Sequence, residues 1–328
     1  MLKRCFAYKN NKCLHRCHAT TGRLAIMFAH KKDIRLTDLV REDTVSVVED
    51  IRAALSVDFH YEASQIFWTD SAERRIYRAR LNDQFKNRRV VVEAGAEEGL
   101  AVDWVHDNLY WVRRRPEDNS RAIAVTDLKG ETVVEVVSQD VDHPRALALH
   151  PTKGWLFWSD WGKTPKIERC GMDGSQRSVL VKDNILWPNG ITLDMVHESL
   201  YWVDAKLHTV NTVNLWGEVK VRQVLHSPTK LHHPYSIGVF EDTMYWSDWG
   251  LNTTSIYKAD KFKGENVMQF KETYMVSYID FLHVLIKQTF LISKNLQISK
   301  LLVTLEFTDK NKKKCKFYYI SLVNFCLL

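Results

Sequence analysis

A chain of 328 residues, 45% apolar and 26% charged, has the length of one large or two ordinary domains and is too apolar to be disordered. Its +6 net charge sits at the ends: residues 1–17 and 271–328 each sum to +5, while residues 18–270 sum to −4. A mildly acidic body excludes a nucleic-acid binder, which would gather positive charge on its folded part. No apolar stretch approaches the ~18 residues of a bilayer span, and no signal-peptide h-region opens the sequence, so neither a span nor a leader is expected within it.

Cys5, Cys13 and Cys17 cluster near the start. The Cys13–Cys17 pair has no second Cys/His pair downstream, so no zinc site is expected, and three cysteines together read as the end of a small disulfide module. From residue 24 the text becomes periodic. Ile66-Phe67-Trp68-Thr69-Asp70, Leu109-Tyr110-Trp111-Val112-Arg113, Leu156-Phe157-Trp158-Ser159-Asp160, Leu200-Tyr201-Trp202-Val203-Asp204 and Met244-Tyr245-Trp246-Ser247-Asp248 share one pattern. Their tryptophans are spaced 43, 47, 44 and 44 residues apart, and Ile26-Met27-Phe28-Ala29-His30 is a worn sixth copy. A fixed period in the forties marks a repeat architecture.

Each period reads as four strands. A short apolar run such as Leu100–Trp104 precedes the aromatic pair, and an alternating segment such as Ala122–Asp127 follows it. A turn with Gly130, Gly174, Gly217 or Gly264 then leads into a β-branched run such as Thr132–Val137. No stretch between residues 24 and 270 sustains a helical period. Four strands every ~44 residues, six times over, predict an all-β, six-bladed β-propeller spanning residues 23–270. The first copy lacks an inner strand, so the ring is expected to be incompletely closed. Tyr278-Ile279-Asp280-Phe281-Leu282 resembles the missing strand, but the Lys-rich text of 271–328 reads chiefly as a tail foreign to the domain, poorly ordered or artefactual, whose apolar runs are an aggregation liability.

The Tyr-Trp-Thr-Asp-like motif on this period resembles the YWTD (class B repeat) propellers of the low-density lipoprotein receptor family, closest to the receptor-related proteins, type-1-like. Trp158-Ser159-Asp160-Trp161-Gly162, Trp187-Pro188-Asn189-Gly190-Ile191-Thr192-Leu193-Asp194 and Val203-Asp204-Ala205-Lys206-Leu207-His208 carry the same likeness. The resemblance covers residues 18–270 and implies that residues 1–22 are the remnant of an EGF-like module. It also implies a non-enzymatic ligand-binding and spacing module of an endocytic lipoprotein-type receptor. Its partners would be extracellular protein or lipoprotein ligands and neighbouring receptor modules, on the plasma-membrane surface and in endosomes. No cofactor is expected in the propeller, Ca²⁺ being confined to neighbouring cysteine-rich modules.

Trp68, Trp111, Trp158, Trp202 and Trp246 are expected to fill blade–blade interfaces. Asp70, Asp160, Asp204 and Asp248 are expected to accept backbone N–H bonds that tie one blade to the next, while Arg113 and His30 leave two joints without that acceptor. The family's histidines that take part in ligand release at endosomal acidity match His208 and His233, and an unperturbed His charges in that range. Trp161 and Trp249 are candidate rim contacts. Asn252-Thr253-Thr254 is the one N-glycosylation sequon, and Cys170 is expected to be a buried, inert thiol.

Two other functions remain open: a Wnt co-receptor-like signalling propeller and, remotely, a metal-dependent propeller lactonase. The latter would use Asn189 of Pro188-Asn189-Gly190 with Asp58, Asp103, Asp194 and His150 as further ligands, although these recur with the repeat as structural residues do. Asp204→Ala is expected to lower the melting temperature more than Asp83→Ala, a comparison that calorimetry settles.

Overall fold

In the computed structural model the described residues are 25–39, 41–60, 63–80, 87–250 and 254–273, with the strand backbones of 8–9, 12–13, 279–281, 302–308 and 314–320. Among them there is no α-helix, only a 3-10 turn at Pro151–Lys153. Cys5, Cys17 and Asn252, and hence the disulfide and glycosylation expectations, lie outside the described residues.

The core is six four-stranded antiparallel sheets, each built from consecutive strands except the first. Blade 2 comprises Ala54–His60, Gln65–Asp70, Arg75–Arg80 and Arg89–Val92, and blade 3 Ala96–Asp103, Asn108–Arg114, Arg121–Asp127 and Val133–Val137. Blade 4 comprises Pro144–His150, Trp155–Asp160, Lys166–Gly171 and Ser178–Val181. Blade 5 is Pro188–Asp194, Ser199–Asp204, Thr209–Asn214 and Val221–His226; blade 6 is Pro234–Phe240, Thr243–Trp249, Thr254–Asp260 and Met268–Thr273.

Blade 1 corrects the expectation of an open ring. Ala25–His30, Asp33–Asp38 and Thr44–Val48 form its outer three strands, and Ile279–Phe281 supplies the fourth, innermost one. The pairing sets Ile279 opposite His30 and Phe281 opposite Phe28. A strand from beyond the last repeat satisfies the backbone groups that Ala25–His30 would otherwise leave bare. Blade 6 likewise runs on to Thr273, three residues past the expected boundary.

The aromatic pair explains why the sheets stack as a ring. Neighbours on a strand point to opposite faces. Trp68 therefore packs back on blade 1 against Met27 and Leu36, while Phe67 packs forward on blade 3 against Trp111. Tyr110 with Trp158, Phe157 with Trp202 and Tyr201 with Trp246 repeat the arrangement. Tyr245, Phe28 and Phe270 close the joint between blades 6 and 1. All five tryptophans are fully buried, and removing such a ring costs about 3–5 kcal/mol.

The hairpin glycines fit a second contact. Gly130, Gly174 and Gly264 have φ of +84°, +87° and +68°, and a Cβ on each would lie 1.9–2.3 Å from the carbonyl oxygen of Val91, Val136 or Val224 on the preceding blade. Gly217 shares the turn (φ +76°) but has nothing within 4 Å. Gly217→Ala is therefore expected to cost about 1 kcal/mol from backbone conformation alone. Gly130→Ala must also displace a strand backbone, so urea unfolding should show the larger loss for it.

Candidate functional site

The motif aspartates line one rim, at the ends of the second strands. Asp70 accepts the N–H of Arg52 (3.0 Å) and Ala53 (3.3 Å), and those of Ala72 and Glu73 in its own turn. Asp160 holds Asp142 (3.0 Å), His143 (2.8 Å) and Gly162 (3.0 Å), and Asp204 holds Leu186 (2.7 Å), Trp187, Lys206 and Leu207. In each case the far partner is the crossover arriving from the preceding blade. The tie therefore grips the connecting segment and not the neighbouring sheet. Where Arg113 replaces Asp, the crossover keeps the backbone bond that the Asp-bearing blades also make: Arg114 N–H donates to Gly95 O (2.8 Å), as Ser71 does to Ala53 O (2.9 Å) and Trp161 to His143 O (3.1 Å). His30 instead pairs through Nδ1 with Asp33 (2.8 Å).

The residue before three of the four aspartates carries a role that sequence reasoning missed. The hydroxyls of Thr69, Ser159 and Ser247 accept the N–H of Ser56, Ala146 and Ser236, where the innermost strand shifts register. A bulge frees a backbone donor, and the hydroxyl satisfies it. The signal lay in the recurrence of Thr or Ser at this place in three of the copies.

Blades 4, 5 and 6 bring most of the predicted site residues together on this rim. Trp161 is 39% exposed, and the Arg145 guanidinium lies 5.2 Å from its ring centroid and 4.4 Å from that of Tyr235. Arg145 also pairs with Glu98 (2.7 Å). Tyr235 stacks on Trp249 (4.8 Å, 7°), and His233 fills the angle between Trp249 (5.7 Å) and Trp187 (6.3 Å). Trp249 is half-buried in this stack, whereas Trp187, which the repeat pattern does not mark, is 39% exposed with Lys206 Nζ 5.3 Å from its ring. His208, at φ 56°, donates Nδ1–H to Leu231 O (2.7 Å).

Burial pushes the Asp248 carboxyl up to about 6, against the pull of the His233 N–H (3.0 Å) and of the His232 and His208 charges. Burial also lowers the pKa of His233, helped by Arg145, His232 and His208. One strap thus joins an acid that takes up a proton near pH 6 to an imidazole that resists one.

The residues weighed for a metal are otherwise engaged. Asn189 Nδ2 donates to Pro234 O (2.7 Å), and Asp58 accepts Val102 N–H (2.7 Å) across the blade joint. Asp103 binds the N–H of Val105 and His106, and Asp194 pairs with Lys261 (2.5 Å) and His197 (2.9 Å). His150 is buried against Trp216. Among the described residues no three His, Cys, Asp or Glu side chains group as metal ligands. Burial pushes the Cys170 thiol up to about 12, which leaves it unreactive.

Comparison with known proteins adds the following. The repeat family described as low-density lipoprotein receptor repeat class B matches residues 154–195. Vitellogenin receptor Yl of Drosophila melanogaster is 40% identical over 249 residues, which are 75% of this chain and 12% of that protein. The vitellogenin receptor of Solenopsis invicta is 31% identical over 253 residues, 76% of this chain and 14% of that protein. The chain therefore spans about an eighth of the length of these relatives. The propeller in a nidogen/laminin complex superposes with TM-score 0.66 at 23% identity, over 79% of this chain and 97% of that one. TolB from Acinetobacter baumannii (0.64, 15%, 79% and 66%) and a luciferin-regenerating enzyme (0.55, 12%, 82% and 91%) share the fold alone.

The two titrations on the strap have opposite signs. As pH falls from 7 to 5, native Asp248 gains a proton before its unfolded counterpart and adds stability, whereas His233 is charged more readily unfolded and subtracts it. Asp248→Asn removes only the first contribution. Its unfolding free energy should fall further between pH 7 and 5 than that of the unmodified protein, by about 1 kcal/mol. Urea titrations at the two pH values check this.

Proposed function

Since the chain's propeller is a class B repeat propeller of the low-density lipoprotein receptor family, we propose that it works as a ligand-binding and spacing module of an endocytic receptor and helps release ligand in acid. Relatives that are receptors support the first part. The observation that carries the second is the joining of His208, His232, His233 and Asp248 beneath two exposed tryptophans on one rim.

The chemistry runs as follows. At neutral pH the rim holds Arg145 paired with Glu98, the cations Lys206 and Lys230 beside aromatic rings, and a largely ionised Asp248. Acidification charges the imidazoles and neutralises Asp248, so both changes make the rim more positive. An acidic neighbouring module would then dock against Trp161 and Trp187, in competition with cargo. His208 is partly exposed and donates Nδ1–H to Leu231 O. Burial and Arg145 favour the neutral form of His233, so its charge comes at lower pH than for an ordinary imidazole.

Surface plasmon resonance against a Ca²⁺-loaded, acidic cysteine-rich module at pH 7.4 and 5.5 tests this. Binding should appear at 5.5 and weaken about tenfold in the His208→Ala/His233→Ala protein, the equivalent of roughly 1.4 kcal/mol. Equal affinity of the two proteins at pH 5.5 would remove the histidines from the mechanism.

A further inference from the structure

Residues 74–89 carry seven Lys or Arg and one acid, in a propeller that is otherwise acidic. Several arginines are matched by carboxylates at short range: Arg121 and Arg114 on Glu97 (2.8 and 3.3 Å), Arg177 on Glu168 (2.8 Å), Arg35 on Asp33 (2.9 Å) and, on blade 2 itself, Arg75 on Glu93 (3.1 Å). The other end of blade 2 differs. Its register sets Arg78 directly opposite Arg89 on the outermost strand pair, and Arg80, two residues along, shares their face. Like charges placed opposite each other destabilise a sheet unless something neutralises them.

Among the described residues no carboxylate pairs with any of the three. Arg78 donates only to Gln65 Oε1 (3.4 Å). Burial and the charges of Arg89 and Arg80 lower the Arg78 pKa, with Asp127 of blade 3 acting the other way. Asp127 is itself held in its own turn by the N–H groups of Lys129 (2.6 Å), Gly130 (3.1 Å) and Glu131 (3.1 Å). Arg78, Arg80 and Arg89 line a cavity of about 220 Å³ together with Gln65, Asn87 and Ala79.

We propose that this cavity is a binding site for a sulfated polysaccharide. Guanidinium forks bind oxyanions through paired N–H bonds, which favours arginine over lysine in such a place. Neighbouring charges along and across the strands match a polymer that carries sulfate on successive sugars. Gln65 and Asn87 supply the donors and acceptors that sugar hydroxyls need. A phosphorylated peptide offers similar oxyanions, but among the described lining residues the only small apolar side chain is Ala79 and there is no large one to seat a peptide side chain. Gln65 and Asp70 end the same strand at opposite rims, so the cavity is separate from the histidine cluster and does not depend on the acid-release reading.

Heparin affinity chromatography and calorimetry with a size-defined heparin oligosaccharide at 0.15 M NaCl test the proposal on the full chain. The Arg78→Gln/Arg80→Gln/Arg89→Gln protein should lose about tenfold or more in affinity and show a shallower salt dependence. A charge-matched Lys312→Gln/Lys313→Gln/Lys314→Gln protein should change less than about twofold, and His208→Ala/His233→Ala should bind normally. Arg80→Gln and Arg89→Gln singly, both at exposed positions, should each weaken binding and decide the matter if the triple variant does not fold. Absence of heparin binding by the unmodified chain, or equal losses in the arginine and lysine variants, would overturn the proposal. A phosphoserine peptide of equal charge that binds more tightly than the oligosaccharide would overturn it as well.

Discussion

The structure depends on the two-residue period of a β-strand acting on adjacent aromatic side chains. Because neighbours on a strand face opposite ways, one Tyr-Trp or Phe-Trp pair serves two interfaces, its tryptophan gripping the blade behind and its partner the blade ahead. Five such pairs, with Met27-Phe28 as the reduced sixth, fill all six joints. Each joint needs a contribution from both sides, so no blade is stable alone, and the ring is the smallest unit that buries every indole. Ring closure follows from the same demand. Phe28 and Ile26 meet Tyr245 and Phe270 across the last joint, which brings the bare inner edge of blade 1 to where Ile279–Phe281 pairs with it.

Once the sheets are wedged together, the crossovers need fastening, and the aspartates do this with ordinary backbone hydrogen bonds. Their carboxylates are buried, so each one trades desolvation against N–H donors. Asp70, Asp160 and Asp204 each collect three or more donors from the crossover and the following turn. Asp248 sits among three histidines, and there burial prevails. A structural tie has thereby become the most acid-sensitive point on the rim. The same socket places His233 between Trp187 and Trp249, so a change of charge there acts on the most exposed aromatic surface of the propeller.

Charge is distributed unevenly on this scaffold. The acidic total of residues 18–270 conceals a cationic edge on blade 2, where Arg78, Arg80 and Arg89 meet through strand register. Summed charge argued against a nucleic-acid binder. It excludes a broad basic face of the kind duplex nucleic acid needs, but carries no information about one groove.

The sequence by itself determined the propeller, the number of blades and the buried role of the tryptophans, because a repeat announces its period and the strand pleat dictates which way each side chain faces. The place of the aspartates was legible for the same reason. What they hold was not, since Arg52, Asp142 and Leu186 are 18 residues away and come within reach only when the crossover folds back. Trp187 belongs to the text that carries the family likeness but is not legible as a rim contact, because no other copy repeats it, and Trp249 proved half-buried because Tyr235 stacks on it. The sequence named a segment resembling the closing strand and two of the histidines, but that the strand pairs, that the histidines cluster and that the arginines face each other was decided by tertiary structure. Each joins segments whose proximity depends on the closure or register of sheets, which no local pattern encodes.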